Sequence, residues 1–167
     1  MQTITPFLWF DDKAEEAAEL YVSVFSARRG SAPGAGASKI VDVSRYGEAG
    51  PGTPGTAMVV AFQLEGLEFT ALNGGPDHEF TDAISFVVNC EGQEEVDELW
   101  AALSEGGEEG PCGWLKDRYG LSWQIVPTVL TELLTDPDPE KAQRVMKAML
   151  EMKKIDIAGL QRAADAA

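Results

Sequence analysis

The sequence predicts an α+β protein in which one βαβββ unit is used twice and a helical tail follows. Three observations carry this. Short apolar runs of strand type flank amphipathic helical stretches. The pattern returns when the first half is slid along by 79 positions. Beyond residue 128 the apolar spacing becomes helical. The expected organisation is a first unit over 1–78, a second over 79–128 and a tail over 129–167, all one domain.

The first unit opens on "ITPFLWF" (4–10), an apolar and aromatic strand. "AEEAAELYVSVF" (14–25) puts Ala17, Leu20, Tyr21, Val24 and Phe25 on one helical face. Asp11 or Asp12 can cap this helix, and Glu15 and Glu16 suit its positive N-terminal end. A Gly/Ala/Ser loop spans 26–38, followed by strands at 39–47, 56–66 and 67–75. A turn at Glu65-Gly66 makes the last two a hairpin.

The second unit repeats the plan. "AISFVVNC" (83–90) is a strand. "QEEVDELWAALSEGG" (93–107) is a helix with Val96, Leu99, Trp100 and Leu103 inward, and "GPCGWLKDRYG" and "LSWQIVPT" give short strands. The slide lays Phe7 on Phe86, Glu15-Glu16 on Glu94-Glu95, Leu20 on Leu99 and Tyr21 on Trp100; at the hairpins Thr70 matches Gln124. In the tail, Asp138-Pro139-Glu140 starts a helix with a cap, a first-position proline and an early acid. Its stripe is Ala142, Val145, Met146, Met149 and Met152, adaptable packing for a sheet or a dimer partner. Asp156 can cap a last helix with Ile157, Leu160 and Ala164 inward.

Composition narrows the function. The 167 residues carry 28 acids against 13 bases, a net charge of −15. That field repels phosphate backbones and anionic lipid, so neither nucleic acid nor a membrane surface is an expected partner. Arg28-Arg29 and Lys153-Lys154 lack the interleaved aromatics of a nucleic-acid groove. No apolar run is long enough to span a bilayer, and the first residues have no signal-peptide pattern. Cys90 and Cys112 form no metal-type cluster and read as reduced thiols of a cytoplasmic protein. His78 is the one histidine, and it lies in a Gly/Pro/Asp loop.

The blocks "ITPFLWFDDKAEEAAELYVSVF", "ISFVVNCEGQEEVDELWAALSEGGEEGPCGWLKDRYGLSWQIVPTVLTELL" and "DPDPEKAQRVMKAMLEMKKIDIAGLQRA" resemble the PhnB-like family. Its members are often named 3-demethylubiquinone-9 3-methyltransferase-like. The family belongs to the vicinal oxygen chelate superfamily of glyoxalase I, bleomycin-resistance proteins and extradiol dioxygenases. The resemblance implies that two βαβββ units pair into a curved mixed sheet around a cleft, and that the protein is a homodimer. Loop 26–38 looks longer than is usual in the family.

The superfamily's metalloenzymes take His or Glu ligands from the start of each unit and Glu from its last strand. Here the last-strand positions hold Thr70 and Gln124, and the opening strands, 4–10 and 83–90, hold no His, Asp or Glu. A divalent cation needs several converging donors, and a neutral amide is a poor one. No catalytic metal is expected. The resemblance instead turns Gln124 into the cleft as an amide anchor, donor and acceptor at once. The alternative is that Gln124 faces solvent or satisfies a neighbouring group. Trp9, Phe86, Trp114 and Trp123 are candidate walls, of which strand alternation admits only some. Asn73, in "ALNGGPD" (71–77), is a candidate for the rim. Cys112, near Lys116 in sequence, is either a ligand-facing thiol or a small packed residue.

"GAGAS" (34–38) follows a helix and a Ser/Pro loop rather than a strand, so no S-adenosylmethionine site is expected. No cofactor is assigned. The leading expectation is a metal-independent protein that binds a small organic molecule in an apolar cleft, with cationic or neutral ligands favoured. Two alternatives stay open: an enzyme (a glyoxalase-like isomerase or lyase, or the methyltransferase of the family name) and a structural module with a filled cleft.

Overall fold

In the computed structural model, which describes residues 2–28 and 36–166, the first unit (Met1–Phe80) runs β1 (Phe7–Phe10), α1 (Ala14–Ala27), β2 (Lys39–Arg45), β3 (Ala57–Leu64), β4 (Leu67–Asn73). Its sheet has the order β1-β4-β3-β2, with β1 parallel to β4 and the other pairs antiparallel. Alternation decides the faces. Val60, Phe62 and Leu64 of β3 and Phe69 and Ala71 of β4 are buried on one side. Over them α1 lays Ala14, Ala17, Ala18, Tyr21 and Phe25. The predicted inward residues Leu20 and Val24 are only half-buried. Glu65 (φ 50°) and Gly66 (φ 85°) are both left-handed, the backbone that a two-residue hairpin requires.

Neither Asp11 nor Asp12 caps α1. The cap residue is Lys13, with no side-chain bond; the Ala14 N–H donates instead to Asn73 Oδ1 at 2.7 Å. Local pattern could not have shown this acceptor, which arrives with the end of β4. Most of the loop expected at 26–38 falls on residues 29–35, outside the described residues.

The second unit (Thr81–Ala167) runs β5 (Phe86–Cys90), α2 (Gln93–Ser104), β6 (Glu108–Glu109), β7 (Trp114–Lys116), β8 (Ser122–Pro127), α3 (Thr128–Leu134), α4 (Pro139–Leu150), α5 (Ile157–Asp165). The order β5-β8-β7-β6 copies that of the first sheet, again with the opening strand parallel to the last. The fold is therefore α+β, a duplicated βαβββ plan with C-terminal helices. Val96, Leu99, Trp100 and Leu103 of α2 are buried, as their spacing predicts. The β7–β8 turn is organised by Asp117, only 2% exposed. Its Oδ1 accepts the N–H groups of Tyr119 and Leu121, and its Oδ2 accepts Trp123 Nε1–H at 2.9 Å.

The duplication holds, with one shift. In the ladders Phe7 stands opposite Thr70 and Val87 opposite Gln124. Since Thr70 corresponds to Gln124, the partner of Phe7 in the repeat is Val87, not Phe86. The helices match at 79 positions and the opening strands at 80. A slip of one residue moves a side chain to the other face of a sheet. Phe86 therefore lies on the α2 side, its ring centroid 5.6 Å from that of Trp123.

The tail builds its own small core from Leu130, Val145, Ile155, Leu160 and Ala164, with Met149 and Met152 packed against it. Asp138 caps α4 by accepting Glu140 N–H, with Pro139 in the first turn. Met146, expected on the inward stripe, is 38% exposed. Two features depart from expectation. The short helix α3 precedes α4, where the sequence marks no separate helix. Asp156 sits at the α5 cap position but makes no capping bond; Gln93 Oε1 accepts the Ile157 N–H instead. No helix among the described residues is long and apolar enough to cross a membrane.

Candidate ligand-binding site

Each sheet has one face covered by its helix, and the opposite face carries the residues that alternate with the core. In the second unit that face takes Val87 and Asn89 from β5, Ser122, Gln124 and Val126 from β8, and Trp114 and Lys116 from β7. The ladder sets Trp114 against Gln124 and Lys116 against Ser122. Two predicted site residues, Trp114 and Gln124, are thus neighbours on one face. Phe86 and Trp123 are not with them; both lie on the α2 side, where Trp123 is 2% exposed.

Gln124 does not point into an apolar wall alone. Its Nε2 donates to Ser85 Oγ at 2.9 Å, which orients the amide. One pleat along, Ser122 Oγ donates to Asp82 Oδ1 at 3.0 Å, and Lys116 Nζ pairs with the same oxygen at 3.2 Å. Hydrogen bonding from Lys116, then from Ser122, lowers the Asp82 pKa below the usual aspartate value. Beside this group lies a cavity of about 420 Å³, lined by Trp114, Pro111, Gly110, Lys116, Ser122 and Asp82, with Leu115, Glu108 and Glu109 completing it. Asp82, Ser85 and Ser122 escape sequence reasoning because their roles depend on pairing between β5, β7 and β8. The one local hint was that Ser85 and Ser122 are small polar residues at the openings of apolar strands.

Cys112 lies in the loop between β6 and β7. Its φ of 56° is left-handed, unusual for a non-glycine residue. Its thiol is turned to the Met149 carbonyl at 3.6 Å, and its N–H donates to Met152 O at 2.8 Å. Lys116, near it in sequence, is paired with Asp82. Neither Cys112 nor Cys90 is in a disulfide.

In the first unit, Phe7 and Trp9 share the open face with Thr70 and Leu72. Trp9 Nε1 donates to Gly75 O at 2.9 Å, and the ring of His78 meets it edge-on at 4.7 Å. His78 itself is exposed. A Cβ on Gly74 would lie 2.2 Å from the Trp9 ring, so only glycine permits this seat. Asn73 faces the other way. Its Oδ1 is held by Ala14 N–H, its Nδ2 donates to Ala57 O at 3.0 Å, and its carbonyl accepts Tyr46 OH at 2.5 Å. Its side chain is committed to the scaffold on the helix side. Trp9 and Asn73 thus belong to one strand pair but opposite faces.

Among the described residues, no three or more His, Cys, Asp or Glu side chains gather into a group that could hold a metal ion. The donor set on the second open face is an amide, a hydroxyl, an ammonium and a carboxylate already engaged by two partners. It suits hydrogen bonding to a polar edge more than cation coordination.

The family model described as 3-demethylubiquinone-9 3-methyltransferase matches residues 2–126. It stops one residue before the end of β8 and leaves out the tail. A solved structure described as a putative 3-demethylubiquinone-9 3-methyltransferase, PhnB protein, from Bacillus cereus is 38% identical, with TM-score 0.63, covering 76% of this chain and 100% of that one. Protein PA1353 from Pseudomonas aeruginosa is similar in fold at 19% identity and TM-score 0.58, covering 76% and 98%. The fosfomycin resistance protein FosX from Listeria monocytogenes shares the fold at 16% identity and TM-score 0.50, covering 79% and 97%. No match is found among curated proteins.

Proposed function

This chain belongs to the 3-demethylubiquinone-9 3-methyltransferase (PhnB-like) family of the vicinal oxygen chelate fold, and we propose that it binds a small organic molecule without a catalytic metal. The observation that carries this is the cavity of about 420 Å³ beside β7. Its size suits a small ligand, and it combines an apolar wall with a few oriented polar groups, as such sites do. Trp114 and Pro111 supply the wall. Lys116, Ser122 and Asp82 supply fixed polar atoms, and Gln124 stands next to Trp114 in the ladder. Asp82, Glu108 and Glu109 outweigh Lys116 in charge, which favours a neutral or cationic ligand. Trp9 and Phe7, on the open face of the first sheet, are a second apolar surface for the same class of molecule. Phe86, Asn73 and Cys112 contribute to the scaffold in this reading.

The methyltransferase of the family name is not part of the proposal. S-adenosylmethionine sites rest on a Gly-rich turn after the first strand of a doubly wound sheet, and β1 leads through Asp11-Asp12-Lys13 into α1. Titration with S-adenosylmethionine by equilibrium dialysis is expected to give no binding at micromolar concentration. We further propose a cytoplasmic homodimer.

Native mass spectrometry with elemental analysis, on protein prepared without chelator, tests the main reading. A metal-free dimer that retains a small molecule, or binds neutral and cationic aromatic fragments in a Trp114-dependent way, supports it. A stoichiometric divalent metal overturns it.

A further inference from the structure

The tail lies beyond the family match, yet it is bonded to the loop that rims the cavity. The segment Met152–Ile155 runs beside Cys112-Gly113. Met152 O accepts Cys112 N–H at 2.8 Å, and Lys153 O accepts Gly113 N–H at 2.7 Å. Gly113 O in turn accepts Ile125 N–H at 2.8 Å, so the loop is held between the tail and β8. Cys112 and Gly113 are consecutive left-handed residues, with φ of 56° and 84°. Glycine takes that backbone freely, but Cys112 keeps it only where its surroundings hold it. A Cβ on Gly113 would meet Ile125 O at 2.8 Å and the Ile155 side chain at 3.3 Å, so the fit is close on both sides. On either side of this pair stand Gly110, Pro111 and Trp114, which line the cavity.

The segment is itself anchored away from the cavity. Gln93, at the start of α2, donates from Nε2 to Ile155 O at 3.0 Å and accepts Ile157 N–H at 2.8 Å. Lys154 pairs with Asp97 at 2.6 Å, and Ile155 is fully buried in the tail core. One amide side chain therefore holds the backbone on both sides of Asp156.

We propose that Met152–Ile155 is a strap that positions the loop Gly110–Trp114, so that the tail sets the shape of the cavity rim and with it the fit of a ligand. This rests on the reading of the cavity as a ligand site. Gln93 is then a positioning residue that touches neither the cavity nor its contents.

The test uses the full chain with Gln93→Ala and with Gln93→Glu, which keeps an acceptor for Ile157 N–H, loses the donor to Ile155 O and sets a second carboxylate beside Asp97. Amide hydrogen exchange is followed residue by residue, with Nile red, a neutral apolar dye, as the cavity probe. Exchange at Cys112 and Gly113 is expected to rise roughly tenfold or more with that of Ile157, while amides in the β5–β8 ladder keep their protection. Nile red affinity is expected to fall several-fold. Unchanged exchange at Cys112 and Gly113, with Ile157 released, overturns the strap. A rise in exchange with unaltered dye affinity overturns its control of ligand fit. Dye binding that Trp114→Ala leaves intact overturns the cavity reading itself, and the exchange result still decides the strap.

Discussion

The Asn73 side-chain oxygen accepts the Ala14 backbone N–H at 2.7 Å, across 59 positions of sequence. The last residue of β4 thereby supplies the cap that α1 lacks in its own sequence. The same amide donates to Ala57 O, so it ties a helix start to two strands.

Asn73→Ala is expected to destabilise the protein by about 1–2 kcal/mol, the usual cost of losing a cap and leaving partly buried groups unpaired. Asn73→Asp keeps the acceptor at the positive helix end and loses the donor, so it should recover part of that loss. Urea denaturation monitored by circular dichroism measures both. Equal stability of Asn73→Ala and the native chain would contradict the role assigned here.

Phe86 and Val87 are adjacent yet face opposite ways. Phe86→Ala removes a ring packed against Trp123 and should cost about 1–3 kcal/mol, since the site is half-buried. Val87→Ala removes a side chain that is 51% exposed and should stay within about 0.5 kcal/mol. If the two costs were reversed in a denaturation series, the register would be the one that superimposes Phe7 on Phe86.

Asp117 holds the β7–β8 turn through two backbone N–H groups and the Trp123 indole. Asp117→Ala removes the acceptor of these three bonds, two of them buried, and should cost about 2–4 kcal/mol. Tryptophan emission should move to longer wavelength as Trp123 loses its packed setting. An unshifted spectrum with native stability would show that the carboxylate is dispensable.

Acidification should loosen the tail. Hydrogen bonding from Lys154, then from Gln93, holds the Asp97 pKa below its usual value. A carboxylate whose pKa is lowered on folding stabilises the fold above its unfolded pKa, about 3.9, and loses that contribution as pH falls through the folded value. The stability difference between the native chain and Asp97→Asn should therefore be present at neutral pH and vanish in strong acid. Both partners are over two-fifths exposed, so added salt should shrink it as well. A difference constant across that range would remove the ion pair from the account.

Local pattern carried the duplication, the hairpin at Glu65-Gly66, the inward face of α2 and the α4 cap, because each is decided within a few residues. It failed where a partner is distant in sequence. The α1 cap comes from Asn73 and the last-helix N–H from Gln93, and no spacing rule links 14 to 73 or 93 to 157. The face of Phe86 was missed for another reason. Helix and strand repeat with offsets that differ by one, harmless on a helix and decisive on a pleated sheet. Of the candidate site, Gln124 was expected from the family resemblance, and alternation alone did not separate Trp9 and Trp114 from Phe86 and Trp123. Asp82 and Ser122 could not, because only the β7–β8 ladder brings Lys116 to them.

The strand order shared by the two sheets also bears on how the chain is made. The first sheet closes when β1 meets β4, and all of its pairings lie within the first 73 residues. The second unit is bonded through Gly113 and Gln93 to residues 153–157. Synthesis from the N-terminus therefore delivers the first sheet whole while the second unit still lacks residues 153–157. A chain cut at residue 150 would keep every pairing of the first sheet, while Cys112 and Gly113 would lose their acceptors at Met152 and Lys153 and be held by β8 alone.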